Sequence, residues 1–214
     1  MEPLFHTVDR HWSLDDVNQT VNDTDNGNSH TQFLKPVTGV TQQVTTSLGE
    51  ALHFGIVNDS CITDPDIGTC PNGLTVSFWL RLWKTRPSFP QPLKILGFGE
   101  TSDDKRGFLV MERNDEIVIR VITSRFKCET SFNIISGSWT HIVFTFHGLV
   151  HLKAYHNGEG PVLSVCTNGS YTDMEQSLPS GSADAMIEDL TFWYRELGKD
   201  TISSMLRYII GKVT

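Results

Sequence analysis

The chain has 214 residues and a formal net charge of −8, and this length suits one large β-sandwich domain over residues 1–214 at least as well as two small domains. So acidic a chain is a poor partner for nucleic acid or for an anionic membrane surface, and no stretch of it is apolar enough to span a bilayer. The first residues lack the basic and apolar regions of a signal peptide, so a secreted protein of this sequence is expected to be a fragment of a longer chain.

The first third of the chain alternates between short strands and polar loops. A strand is predicted at residues 10–15 and a long polar surface loop at 16–31. Two further short strands are predicted at 33–40 and 50–57. The first long strand follows at 74–83. Every second residue of it is apolar and forms one face, while the other face carries Trp79, Arg81 and Trp83.

A second long strand, at 138–146, is apolar on both sides, which is typical of a central strand covered on both faces. The strand after it, at 150–156, alternates, so that Leu152 is expected to face inward and Tyr155 outward. It ends at Asn157-Gly158, a dipeptide that favours a tight hairpin because both of its residues tolerate positive φ.

The remaining segments are also predicted to be strands, apart from one short helix. The strands lie at 93–98, 107–112, 116–123, 125–135, 161–166 and 183–194. The helix is predicted near 200–210, with Asp200 as its N-cap and an apolar stripe that includes Ile202 and Met205. The chain is therefore predicted to be all-β, an antiparallel sandwich of two sheets in which 74–83 and 138–146 are central strands.

The four cysteines are Cys61, Cys70, Cys128 and Cys166, and no Cys-x-x-Cys pair occurs, which argues against zinc-ribbon and thioredoxin-type sites. Cys61 and Cys70 bracket a loop-forming sequence that a local disulfide would close. A second disulfide is predicted between Cys128 and Cys166, although nothing local to either residue dictates it.

Four Asn-x-Ser/Thr sequons lie in polar contexts, at Asn18, Asn22, Asn58 and Asn168. One sequon is a weak signal, but four of them together with an even number of cysteines favour an extracellular protein over a cytoplasmic one.

Catalytic and metal sites find little support in the sequence. No Gly-x-Ser-x-Gly motif is present. Of the two groups of carboxylates that could serve a glycoside hydrolase, Glu112 with Asp115 and Glu116 is expected at a solvated turn, and Glu188 and Asp189 would point to opposite faces of a strand. The histidines lack the spacing expected for joint ligation of zinc, whereas calcium is harder to dismiss because several aspartates lie in loops. Those loop aspartates are Asp103, Asp104, Asp173 and Asp184.

Five pieces of the chain, in order, resemble the laminin-G-like and pentraxin-like jelly roll of the concanavalin A superfamily. They are Arg-His-Trp-Ser-Leu-Asp (10–15), Glu-Ala-Leu-His-Phe (50–54), Leu-Thr-Val-Ser-Phe-Trp-Leu (74–80), Gly-Ser-Trp-Thr-His-Ile-Val-Phe-Thr-Phe with Leu-Lys-Ala-Tyr-His-Asn-Gly (137–158), and Ile-Glu-Asp-Leu-Thr-Phe-Trp-Tyr-Arg-Glu-Leu (187–197). The segment 58–65, followed by Cys70 and Gly-Leu-Thr-Val-Ser-Phe, is similar to the N-terminal pentraxin-like domain of group D adhesion G-protein-coupled receptors.

The resemblance implies a binding scaffold without catalysis, since the Glu-x-Asp-x-x-Glu motif of the superfamily's glucanases is absent. It also implies no pentraxin-type calcium site, because Met186 stands where pentraxins carry an aspartate, and a thioether is a poor ligand for a hard cation. We therefore expect neither a metal nor another cofactor.

The expected function is recognition of an extracellular protein or matrix ligand, or of a second copy of the chain. A glycan-binding lectin, with or without calcium, and a degenerate glycan hydrolase are the alternatives. The predicted contact residues are aromatic, because aromatic side chains dominate binding hot spots. They are Trp79, Trp83, Tyr155 and Tyr171, unless the two tryptophans lie in the core.

An extracellular protein should carry N-glycans on at least two of the four sequon asparagines when it is expressed in a secretory host. Treatment with an N-glycosidase should then lower its mass, and peptide mapping should identify the occupied sites. A mass that the enzyme leaves unchanged would contradict the extracellular assignment.

Overall fold

The computed structural model describes residues 10–12, 52–54, 61, 65, 70–82, 92–98, 106–114, 116–147, 151–168 and 181–205. Within these ranges the chain forms thirteen strands and, after the last of them, a helical segment, α1, at residues 199–205. The strands are β1 (Arg10–Trp12), β2 (Leu52–Phe54), β3 (Leu74–Leu82), β4 (Leu93–Phe98), β5 (Gly107–Arg113), β6 (Glu116–Ile122), β7 (Phe126–Asn133), β8 (Thr140–His147), β9 (His151–His156), β10 (Glu159–Val165), β11 (Thr167–Asn168), β12 (Gly181–Ser182) and β13 (Ala185–Trp193).

The strands form two sheets that enclose one hydrophobic core. The six-stranded sheet has the order β1-β13-β3-β8-β9-β10, and the seven-stranded sheet has the order β11-β7-β6-β5-β4-β12, with β2 also paired to β4. Neighbouring strands are antiparallel, except that β2 and β12 run parallel to β4. The predicted sandwich is confirmed, and the two long strands, β3 and β8, are neighbours at the centre of the six-stranded sheet.

The core lies between the sheets and is filled by the inward face of each central strand. On β3, every second residue from Leu74 to Leu80 is completely buried, as the alternation in the sequence predicts. Aromatic rings join the two sheets at the centre: the Phe108 ring of β5 lies 5.1 Å from that of Phe144 on β8 and 6.0 Å from that of Phe192 on β13. Such edge-on and tilted contacts add specificity to the burial of large apolar surfaces.

Along one side of the sandwich, a disulfide and a hydrogen bond join β7 of the seven-stranded sheet to the β10 region of the six-stranded sheet. A disulfide joins Cys128 of β7 to Cys166, directly after β10, and the Glu129 backbone N–H donates to the Ser164 hydroxyl at 3.2 Å. A second disulfide joins Cys61 to Cys70. Both disulfides link the cysteines that the sequence analysis paired.

The hairpin between β9 and β10 has the backbone that its sequence predicts. Asn157 and Gly158 adopt φ angles of 48° and 76°, as the two central residues of a type I′ turn require. Asn157 also binds the neighbouring strand, since its backbone N–H donates to the His141 carbonyl oxygen at 2.8 Å and its side-chain oxygen accepts from the His141 N–H at 2.9 Å. This hairpin therefore fixes one end of β8.

The predicted helix is confirmed over residues 199–205, with a different cap from the predicted one, and residues 206–210 lie outside the described residues. The Ile202 N–H donates to the Gly198 carbonyl oxygen at 3.1 Å, so Gly198 takes the N-cap position and Asp200 lies inside the first turn. No helix among the described residues combines the length and the hydropathy needed to cross a membrane. The polar loop predicted at 16–31 and the strand predicted at 33–40 lie outside the described residues.

Removing the Cys128–Cys166 disulfide with a Cys128→Ser/Cys166→Ser double variant should lower the free energy of unfolding by about 4 kcal/mol, because this link closes the longer loop in the unfolded chain. The Cys61–Cys70 disulfide closes a shorter loop, so the Cys61→Ser/Cys70→Ser variant should lose about 3 kcal/mol. Urea denaturation under non-reducing conditions measures both losses. A loss below about 1 kcal/mol for the first variant would contradict the account.

Candidate functional site

The outward face of the six-stranded sheet is divided into a covered part and an open part. The C-terminal segment, residues 195–205, lies over the covered part. Three apolar residues of this segment pack on three outward residues of the sheet to form one buried cluster, which consists of Leu197, Ile202, Met205, Val143, Tyr155 and Trp193. The predicted apolar stripe of α1 therefore serves to cover the sheet.

Hydrogen bonds hold the start of the C-terminal segment against β3. The Thr75 hydroxyl donates to the Arg195 carbonyl oxygen at 2.7 Å and accepts from the Leu197 N–H at 3.0 Å. The Glu196 N–H donates to the Asn72 carbonyl oxygen at 2.8 Å. The segment thus satisfies a buried threonine that would otherwise face an apolar cluster.

Ion pairs complete this attachment at the edge of the covered part. The Glu196 carboxylate accepts from Lys153 of β9 and lies 3.3 Å from His147 Nδ1 of β8. The hydrogen bond to Glu196 raises the pKa of Lys153. Because Lys153 is partly exposed, this pair contributes less to stability than the buried apolar cluster does.

Tyr155 belongs to the covered part, and the expectation that it is an exposed aromatic is wrong. Its side chain points outward from the sheet, as predicted, but it is only 3% exposed because it packs in the cluster under the C-terminal segment. Burial raises the pKa of its hydroxyl.

The open part lies at the other end of the same strands, and we call it the Trp79 surface: Trp79, Arg81, Ile135, Met186, Glu188 and Asp189. In the pairing of β3 with β13, Trp79 is opposite Glu188 and Arg81 is opposite Met186. Trp79 is half-buried, whereas Met186 and Ile135 are 39% and 75% exposed. Met186 is paired with Arg81, and Ile135 belongs to the turn whose Gly137 carbonyl oxygen accepts from Arg81, so both exposed apolar residues lie on segments that adjoin Arg81.

The turn between β7 and β8 is fixed to the end of β3. The Gly137 N–H donates to the Leu82 carbonyl oxygen at 2.6 Å, and the Gly137 carbonyl oxygen accepts from Arg81 Nε at 2.8 Å. Gly137 has a φ of 80°, a conformation that glycine adopts without strain. Ile135 is therefore presented by a turn whose backbone is held in place.

Beside Trp79, on the paired strand β8, lies a buried histidine. His141 is 2% exposed, its Nε2 lies 2.8 Å from the Ser77 hydroxyl, and its ring centroid is 5.0 Å from that of Trp79. Burial lowers the pKa of His141 to about 4, against an opposing effect of the charge on Asp189. The imidazole is consequently neutral at physiological pH, and it packs beside the tryptophan ring.

The Ser77–His141 pair has the contact distance of a nucleophile and its general base, and the sequence analysis did not identify it. Ser77 is only 4% exposed, so a substrate cannot reach its hydroxyl, and a catalytic serine requires such access. The geometry therefore assigns the pair to the support of the sheet.

Charged residues on the other sheet form an internal network. Glu129 of β7 accepts at 2.8 Å from both Arg113 Nη2 and Arg120 Nε, and Arg120 is almost fully buried. Burial by itself would raise the pKa of Glu129, but the hydrogen bonds and charges of Arg120 and Arg113 outweigh it and lower the pKa. These charges satisfy each other across β5, β6 and β7.

The other residues predicted from the sequence are distributed as follows. Asn168 is exposed on β11, at the edge of the seven-stranded sheet. Met186, which the resemblance placed at the pentraxin calcium position, lies on the Trp79 surface, and within the described ranges no three His, Cys, Asp or Glu residues are grouped to hold a metal ion. The remaining candidates lie outside the described residues: Asn18, Asn22, Asn58, Trp83, Asp103, Asp104, Tyr171 and Asp173.

The sequence did not lead us to predict that Ile135 and Met186 are exposed apolar residues. The sequence did contain a signal, since Met186 occupies an outward position two residues before Glu188 on β13. Ile135 lies in a turn, where the period of a strand no longer predicts direction.

Comparisons with known proteins give the family and two relatives. The sequence profile of the concanavalin A-like lectin/glucanases superfamily, a laminin G type, matches residues 57–203. The human adhesion G-protein coupled receptor D1 is 28% identical over 84% of this chain, and the bovine receptor of the same name is 25% identical over 75% of it. These matches cover 20% and 18% of the two receptors, so the chain spans about a fifth of the length of the curated relatives that it matches.

Among solved structures, the botulinum neurotoxin serotype G binding domain has a TM-score of 0.49 and 17% identity to this chain. The similarity covers 64% of this chain and 36% of that one.

The neutral, buried His141 should make the protein less stable in acid. The folded-state pKa lies below the ordinary value of 6.5, so the stabilisation is fully present above pH 6.5 and is lost as the pH falls towards 4. By pH 4 the loss should reach about 3 kcal/mol of unfolding free energy. Urea denaturation of the wild type and of His141→Gln at pH 7.5 and pH 4 measures it.

The unfolding free energy of the His141→Gln variant should lack this part of the pH dependence. Other acid-sensitive groups such as Glu129 are present in both proteins, so their effects cancel when the variant is compared with the wild type. His147→Gln, which removes a largely exposed histidine, is the control and should keep the pH dependence of the wild type. Equal slopes for the wild type and His141→Gln would contradict the burial argument.

Proposed function

This chain belongs to the concanavalin A-like lectin/glucanases superfamily, and from that premise we propose that it is an extracellular, non-catalytic recognition module. In this proposal residues 1–214 form one laminin-G-like, pentraxin-like domain that serves as the N-terminal ligand-binding domain of an adhesion G-protein-coupled receptor. It binds a protein of the cell surface or of the extracellular matrix.

The placement outside the cell is supported by three independent features. The two curated relatives are adhesion receptors that align with most of the chain. Two disulfides link the four cysteines, and disulfides persist in oxidising compartments. Four sequons are present, of which the described one, Asn168, is exposed.

The observation that carries the recognition function is the Trp79 surface itself. It groups a tryptophan, an arginine and a methionine, the residue types that interfaces favour, on two paired central strands. A rigid β-scaffold holds them, so little conformational entropy is lost when a partner binds. Protein binding through such a surface needs no metal ion.

Trp79→Ala should weaken binding of the glycosylated domain to intact cells by at least about tenfold, which corresponds to about 1.4 kcal/mol for loss of an interface tryptophan. Flow cytometry with the tagged domain measures it, and the melting temperature of the variant verifies that it is folded. Binding should survive EDTA and should be lost when the cells are treated with a protease.

Leu163→Ala is the matched control, because Leu163 is 58% exposed on the edge strand β10 and should not affect binding. Binding that disappears with EDTA and glycosidase treatment of the cells, and that a glycan array reproduces, would replace this proposal with the lectin. An unchanged affinity of Trp79→Ala would reject this surface as the binding site.

A further inference from the structure

Asn168 is the sequon asparagine that the structure describes, and it lies at an edge of the seven-stranded sheet. It is the last residue of β11, and both residues of this strand, Thr167 and Asn168, are exposed. The sequon continues with Gly169 and Ser170. In secreted proteins an oligosaccharide is attached to the asparagine of such a sequence at the surface, and Asn168 meets both conditions of sequence and exposure.

The backbone that leads to Asn168 is held against β7. Cys166, two residues earlier, forms the disulfide with Cys128, and the Thr167 hydroxyl donates to the Lys127 carbonyl oxygen at 3.3 Å. At Cys166 the chain passes from β10 of the six-stranded sheet to β11 of the seven-stranded sheet. A sugar linked to Asn168 would therefore be attached to a part of the chain whose position is fixed.

Phe126 is directly opposite Asn168 in the antiparallel pairing of β11 with β7. The side chains of two opposed residues leave the sheet on the same side, with their Cβ atoms about 5 Å apart. The disulfide identifies that side, because Cys128 and Cys166 are each two residues from this pair and so point the same way as Phe126 and Asn168. It is the core side, since Cys128 is completely buried.

Phe126 lies at the rim of the core and is only partly buried. It packs against the buried cluster between the sheets, as Cys166 does. Phe132, on the same strand and the same side, is 7% exposed and stacks on His156 with ring centroids 5.1 Å apart. Phe126 thus retains accessible apolar surface beside Asn168, whereas Phe132 at the other end of β7 does not.

The first sugar of an N-linked glycan has the chemistry to cover this surface. One face of the N-acetylglucosamine ring consists of C–H groups, whose slightly positive hydrogens pack favourably on the negative face of an aromatic ring. We propose that Asn168 carries an N-linked glycan whose first N-acetylglucosamine packs on the accessible part of the Phe126 ring. The sugar shields the rim of the core from water beside the Cys128–Cys166 disulfide.

This inference rests on the extracellular placement in the proposed function, because a chain receives this glycan only in the secretory pathway. It does not depend on the Trp79 surface, which belongs to the other sheet. Failure of the one can therefore be distinguished from failure of the other.

The experiment compares the wild type with Ser170→Ala, which removes the sequon and keeps Asn168. Both proteins are produced in cells that make only high-mannose glycans and are treated with endoglycosidase H, which leaves a single N-acetylglucosamine at each occupied site. Peptide mapping should find this sugar on Asn168 of the wild type. The wild type should melt about 2 °C above Ser170→Ala, because its sugar covers apolar surface that the variant leaves in water.

Phe126→Leu tests the aromatic ring, since leucine is apolar but offers no aromatic face. In this background the difference in melting temperature should fall to less than half. Phe132→Leu is the matched control, because it removes an aromatic ring from the same side of β7 at the end remote from Asn168, and it should keep the full difference. Protons of the sugar on Asn168 should also show nuclear Overhauser effects to the Phe126 ring.

A second control removes the sugar and keeps the sequence change. When both proteins are produced without glycans in the bacterial periplasm, where disulfides still form, the wild type and Ser170→Ala should melt at the same temperature. The difference seen after endoglycosidase treatment is then caused by the sugar and not by loss of the Ser170 hydroxyl.

Four results would overturn the inference: an unmodified Asn168 while other sequons carry glycans, equal melting temperatures of the two endoglycosidase-treated proteins, a difference that Phe126→Leu leaves intact, or an equal difference between the unglycosylated proteins. In each case the proposed function would stand, because its test is the cell binding that depends on Trp79. Absence of glycans from all four sequons would instead contradict the extracellular placement, and with it both proposals.

Discussion

Burial of both faces of β8 and of the first half of β3 is the constraint on which the rest of the structure depends. Their inward residues make the core against the seven-stranded sheet, where the Phe108–Phe144 contact joins the two layers. Their outward residues include Thr75 and His141, which are buried as well. Polar groups that are buried lose their hydrogen bonds to water and need partners within the protein, and the elements that cover the outward face supply some of these partners.

The two ends of this face supply partners in different ways, although in the part of the chain that the structure describes Thr145 Oγ1, His141 Nδ1 and Trp193 Nε1 have no hydrogen-bond partner. At one end the C-terminal segment supplies backbone groups to Thr75 and an apolar cluster around Trp193. At the other end Ser77 satisfies one nitrogen of His141, and the Trp79 ring lies beside the imidazole. What remains accessible around Trp79 is a surface that rests on buried polar residues of the same sheet.

Much of the fold was predictable because β-strands have a simple period. The alternation in 74–83 and the apolar run in 138–146 identified the two central strands, and Asn157-Gly158 identified a hairpin whose φ angles the structure confirms. The helix cap was predicted less well, since a glycine and an aspartate two residues apart both suit an N-cap. The β-bulge in β13, where the register shifts between Glu188 and Thr191 and Asp189 has a positive φ, was missed. A bulge interrupts the two-residue alternation from which strand faces are predicted.

The candidate site separates what the sequence determined from what the tertiary structure decided. Trp79 and Tyr155 both occupy outward positions on strands of one sheet, and the pleat determines that direction from the sequence alone. Their exposure differs because residues far along the chain, Leu197 to Met205, pack over Tyr155 and stop short of Trp79. Direction is a local property of a strand, whereas exposure depends on which distant element packs across it, and that was decided by the tertiary structure.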